Sequence, residues 1–174
     1  ILGSTVHAAA ATFAAFLVGL ALGARIAGRW VERAQYLVAV YIAVEVAIAV
    51  TAGAVGTLLH GLREPIALLV GSPDTFGRGF QSFLVTLGLV IIPTWFMGAT
   101  FPVILALARR QGAALSAISR IYAFNTLGAA LGAFACGFFS IRLLGVPMSI
   151  GVGMALNLAS AALVLLLLQK RRSA

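Results

Sequence analysis

Residues 79–108 read GFQSFLVTLGLVIIPTWFMGATFPVILALA, a run of 30 positions without a formal charge. As a straight helix it extends about 45 Å, whereas a bilayer core is about 30 Å thick and is crossed by about 20 apolar residues. In hydrocarbon every backbone N–H and C=O must be satisfied within the segment, so helix is the expected form. Pro93 and Pro102 interrupt the run. Each removes a backbone donor and crowds the preceding turn, so a kink or tilt is expected at Pro93, with Phe101-Pro102 near the inner surface. Such a kink reads either as a hinge or as a static bend.

Further apolar runs lie on either side. Thr5 to Ala24 carries no charge, Tyr36 to Leu59 is interrupted only by Glu45, and Ile121 to Ile141 and Pro147 to Leu168 follow. The expected fold is all-α, a single polytopic transmembrane bundle over 1–174 with five spans, at 5–24, 36–59, 79–108, 121–141 and 147–168. The apolar stretch Pro65 to Pro73 is too short to span and reads as an interfacial helix or re-entrant turn. Composition agrees: 62% of the 174 residues are hydrophobic and 9% charged, against roughly 25% charged in soluble domains. The net charge of +8 is spread between apolar runs, which argues against nucleic acid.

The placement of the cations orients the chain. Arg25, Arg29 and Arg33, then Arg109, Arg110 and Arg120, then Lys170, Arg171 and Arg172 make nine basic residues in alternate connections; Arg63, Arg78 and Arg142 make three in the others. The positive-inside rule puts the rich set, and the C-terminus, in the cytoplasm. Ile1 then lies outside, which calls for one more helix upstream and six spans in the parent protein. A helical protein of this kind is expected in a bacterial inner membrane, since outer-membrane spans are barrels.

Helices in lipid associate where small residues permit close approach. Gly19 and Gly23 continue a stripe begun by Ala8, Thr12 and Ala15; Gly128 and Gly132 stand in line with Asn125 and Cys136. Both stripes read as helix-packing seams, with pore lining as the alternative.

Glu45 is the tenth residue of its span, roughly 14 Å from the inner end by helical rise. An ionised carboxylate near the midplane is costly, so it must be protonated or paired. It reads either as a proton or cation site or as a hydrogen-bonded residue that fixes helix register. Tyr122, Asn125 and Thr126 on the fourth span are its candidate partners. Asn125 and Thr126 also read as a structural clamp, as does Asn157. His7 and His60 fall towards the outer face as interface residues. The sequence carries no recognisable catalytic set, metal-ligand set or cofactor loop: Gly151 and Gly153 lack the strand and third glycine of a dinucleotide site, and Cys136 is the single cysteine.

Three stretches taken together resemble a known family. They are Ile1 to Thr5 with Ala14 to Gly23 and Gly28-Arg-Trp-Val-Glu-Arg33; Met97-Gly-Ala-Thr-Phe-Pro102; and Tyr122-Ala-Phe-Asn-Thr-Leu-Gly-Ala-Ala-Leu-Gly132. In this order they are similar to the N-terminal membrane region of membrane-bound polyamine aminopropyltransferases, the fused transporter-like/spermidine synthase proteins. Glu32 stands where that family usually shows an aspartate. Glu45 matches the acid that the family tends to carry in its next span. The resemblance implies a helix before Ile1 and a cytoplasmic aminopropyltransferase domain after the last span, which would use decarboxylated S-adenosylmethionine and a polyamine. No residue here matches that domain's catalytic or cofactor positions, so this chain alone is not expected to be catalytic. Three functions follow as expectations: a module that anchors or feeds such a domain; a transporter of a polyamine or other small cation using Glu45, which would need a homo-oligomer; and a structural subunit of a membrane complex.

Overall fold

Helices are the only regular elements of the computed structural model, which describes residues 2–61 and 76–172. They are α1 (Leu2–Trp30), α2 (Leu37–Gly61), α3 (Phe76–Arg110), α4 (Leu115–Ala135), a π turn (Cys136–Ser140) and α5 (Ile141–Arg172). Four segments are apolar and long enough to cross a bilayer: Ala9–Trp30, Leu37–Leu58, Leu87–Arg110 and Leu115–Leu167. The short apolar run 65–73 falls outside the described residues. Several helices outrun the apolar stretches that announced them. α1 continues through Arg25 and Arg29 because arginine is a good helix former whose stem can lie along apolar surface while its head reaches water.

The division into five spans is not matched. Where the sequence separates 121–141 from 147–168, one apolar helical segment runs for 53 residues. The reason is that the short connection around Arg142 contains nothing incompatible with helix before Gly145. Only there does the backbone leave helical values, at φ 75° and ψ 173°, a conformation open to glycine. The bend is sharp. Ser140 Oγ donates to Ser149 Oγ at 2.8 Å across nine residues, a separation that a straight helix would stretch to about 13 Å. Ser149 Oγ in turn donates to the Gly145 carbonyl at 2.7 Å. The two bonds tie the end of one helical piece to the start of the next. Pro147 just beyond suits the first turn of the resumed helix, where no N–H is needed. α3 stays helical through Pro93 and Pro102.

The long helices form a row in the order α1, α3, α2, α5. α1 and α3 run parallel. A Cβ added to Gly19 would strike the Thr94 side chain, one on Gly23 the Trp95 carbonyl, and one on Gly98 the Leu20 carbonyl. Ala15 and Ala27, each 0% exposed, extend the Gly19/Gly23 stripe by a turn in either direction. This is the close small-residue approach expected between helices in lipid. α2 runs against its neighbours: Tyr41 meets Ser160, Gly53 takes the end of Met154, and Gly56 takes Ile150. At one end of the row Val31, Leu37, Val103 and Ala106 close into a buried cluster.

α4 stands apart. None of its residues is buried, and among the described residues nothing lies within 4 Å of a Cβ built on Gly128 or Gly132. Among the described residues the second expected seam therefore has no partner. The α3–α4 turn is closed by Gly112 at φ 71°. Its N–H bonds to the Arg109 carbonyl at 3.0 Å, and the Ala113 N–H to the Ala108 carbonyl at 3.0 Å, the paired bonds of a Schellman motif. Gly112→Ala is expected to cost roughly 1 kcal/mol, from the left-handed conformation alone. A fall in apparent Tm, followed by circular dichroism in detergent, checks it.

Candidate functional site

Glu45 sits in the middle of α2 and is 5% exposed. Ile48 and Ala49 on α2 and Ala161 on α5 are buried with it. Tyr41 lies one helical turn earlier on the same face, with its hydroxyl close enough to the Glu45 carboxyl for the two to interact. The Tyr41 hydroxyl is also 2.6 Å from Ser160 Oγ on α5. A phenol can donate to one group and accept from another, so Ser160, Tyr41 and Glu45 make a chain that ties α5 to α2 and ends on a carboxyl group. Inside an apolar bundle such a network is strongly held when complete and costly when broken.

One turn further along α2, Ile48 and Ala52 line a cavity of about 340 Å³ where α1, α2, α3 and α5 converge. Most of its wall is apolar, including Phe16, Met97 and Met154; its polar residues are Thr12, Thr94 and Asn157. Thr94 Oγ1 donates to the Val90 carbonyl at 2.7 Å. Asn157 Nδ2 donates to the Gly153 carbonyl at 2.9 Å, which leaves the amide oxygen as an acceptor. Pro93 is buried in the wall, so the expected kink position is a lining position of this cavity. A volume above 300 Å³ with a few polar groups in an apolar wall is the usual make-up of a small-molecule site. Here a carboxyl group lies one helical turn away. Among the described residues no group of three or more His, Cys, Asp and Glu side chains gathers to hold a metal.

The residues singled out in the sequence divide between two places. Glu45 is at the site. Tyr122, Asn125 and Thr126 are not: all three are exposed on α4. The Tyr122 ring lies edge-on to Phe101 with centroids 5.9 Å apart, and Thr126 Oγ1 donates to the Tyr122 carbonyl at 3.0 Å. Glu45 has Tyr41 of α2 as its neighbour instead, and Tyr41 in turn bonds Ser160, because α5 packs along α2 while α4 leans away. Gly19 and Gly23 hold α1 to α3 beside the cavity, and Pro102 lies nearer the basic end, in a cleft with Arg109 and Arg110.

Tyr41 is a partner that the sequence analysis missed; its signal is a polar residue four positions before Glu45 on the same face. Ser160 gave a weaker signal, as the second member of an Asn157/Ser160 pair spaced three apart in an otherwise apolar span. Comparison with family models, with curated proteins and with solved structures finds no match to the chain.

Proposed function

We propose that this chain is an integral module of the bacterial inner membrane that takes a small organic cation, such as a polyamine, to Glu45 between its helices. The cation is either carried across or delivered to a cytoplasmic catalytic domain. The observation that carries the reading is the Ser160–Tyr41–Glu45 chain, half-buried at Tyr41 and Ser160 and buried at Glu45, beside a cavity where four helices meet. Intramembrane carboxylates of this kind mark ion and proton paths by default. The resemblance of 97–102 and 122–132 to the membrane region of polyamine aminopropyltransferases supports the same substrate class.

Five crossings, with the C-terminus in the cytoplasm, fit this proposal. Arg110 and Leu165 line one cleft, whereas Ile150 meets Gly56 near the far end of α2. The stretch between Arg110 and Ile150 therefore has to traverse the thickness of the row. On this reading α4 and the π turn count as a crossing of their own, and Gly145 as the point of return. The basic residues of the α1 and α3 ends then face the cytoplasm.

The test is uptake of labelled spermidine into proteoliposomes. The wild type is expected to accumulate it, and Glu45→Gln to lose at least about tenfold of the rate, a loss of the size expected when an ionic contact of ~1.4 kcal/mol or more disappears. Equal uptake by the two proteins would remove the carboxylate from the mechanism. A second reading, a scaffold or anchor within a larger membrane assembly, is favoured by the open Gly128/Gly132 face of α4. On that reading mild detergent recovers the chain in a stable complex, and no uptake is seen with either protein.

A further inference from the structure

At the basic end of the row a second cleft, of about 270 Å³, opens between the last turns of α1 and α3. Val31, Pro102, Leu105 and Ala106 line it with apolar surface, and Glu32, Arg109 and Arg110 supply its charged groups. Gly28 leaves the α1 side open, with nothing within 4 Å of the place its Cβ would occupy. Arg25 lies one turn deeper on that helical face, at a spacing of three from Gly28. We infer that this cleft binds an anionic phospholipid, with the phosphate at the Arg109/Arg110 rim and the glycerol and upper acyl chain against the apolar lining.

Charge and position both point to that ligand. Arg25, Arg29, Arg33, Arg109 and Arg110 surround this end, against the single carboxylate of Glu32. Cations are favoured at helix C-termini by the helix dipole, but one per helix would meet that need. Glu32, one carboxylate against two guanidinium groups in the cleft, offsets the rim only in part. Its contact with Arg109 Nη1 is long, at 4.0 Å, with the two side chains 60% and 75% exposed, and exposed pairs of this kind contribute little. Arg110 Nη2 donates to the Glu32 backbone carbonyl at 2.8 Å, which holds its guanidinium across the mouth of the cleft without using a carboxylate. Guanidinium groups match phosphate oxygens in a two-pronged geometry. An apolar lining beside such a rim, at the end of two membrane-crossing helices, fits a lipid better than a soluble phosphate, which has nothing to place against that lining.

Trp30, partly buried against the Val31/Val103 cluster, reports on the cleft. Trp95→Phe leaves it as the only one of the chain's two tryptophans. The experiment is quenching of Trp30 fluorescence in vesicles, with brominated phosphatidylglycerol compared with brominated phosphatidylcholine. The expected preference for phosphatidylglycerol is about tenfold or more, since one arginine near an anionic headgroup contributes roughly fivefold. Arg109→Gln with Arg110→Gln is expected to bring it close to parity. Glu32→Gln is expected to raise it, a gain that misfolding cannot mimic. Equal quenching by both lipids in the wild type would overturn the assignment. So would a preference unchanged by the double substitution, or displacement of the lipid by millimolar free glycerol phosphate.

Discussion

Gly23→Leu is expected to separate α1 from α3 and to leave little folded protein. Overpacking a buried position costs typically 1–3 kcal/mol, and more when the obstacle cannot yield. At Gly23 the obstacle is the Trp95 backbone carbonyl, which belongs to the helix itself. Rotamer changes cannot move it, so α1 must withdraw along its length. Withdrawal breaks three approaches at once, because Gly19 against Thr94 and Gly98 against Leu20 belong to the same parallel seam. It also opens the cavity wall supplied by Thr12 and Phe16. The control is Gly88→Leu on α3, where nothing lies within 4 Å of the added Cβ and the cost is expected to stay below about 1 kcal/mol. The monodisperse fraction on gel filtration after extraction distinguishes the two variants.

The second large effect concerns Glu45. Glu45→Gln keeps the size of the side chain and its ability to hydrogen-bond the Tyr41 hydroxyl, so the fold is expected to survive with a change of no more than about 1 kcal/mol. What it removes is the negative charge. Tyr41→Phe does the reverse. It keeps the carboxyl group but strips both Ser160 and Glu45 of their common partner, and a buried polar group left unpaired costs about 1–3 kcal/mol. Tyr41→Phe is therefore expected to lower stability more than Glu45→Gln does, while retaining part of the uptake that Glu45→Gln loses. Thermal melts beside transport assays on the two proteins check this inversion. If both variants lost stability equally and uptake not at all, Glu45 would be a register-fixing residue.

Much of the helix placement is legible in the sequence, because apolar runs and their charged boundaries follow directly from the energetics of hydrocarbon. Runs at 36–59 and 79–108 become Leu37–Gly61 and Phe76–Arg110. The Gly19/Gly23 seam is legible for the same reason: a four-residue spacing of small residues makes one flat face. The identical pattern at Gly128 and Gly132 shows the limit of that signal. Small residues say that a neighbour can come close, not which neighbour does. The link from Glu45 through Tyr41 to Ser160 was hidden by a similar gap. Sequence order sets α4 and α5 one after the other, and only packing reveals that α5 lies along α2 while α4 leans out. The prolines mark a different case. A missing donor at Pro93 does not stop α3 from continuing as helix, whereas Gly145, with no Cβ to restrain it, takes the bend.

Calorimetry on the purified chain in detergent, titrated with spermidine and with putrescine, tests the central claim most directly. The account predicts binding by the wild type that Glu45→Gln weakens at least about tenfold, equivalent to ~1.4 kcal/mol. No heat of binding with the wild type, or equal affinity in the two proteins, would contradict it and would leave the Ser160–Tyr41–Glu45 chain as a clamp between α2 and α5.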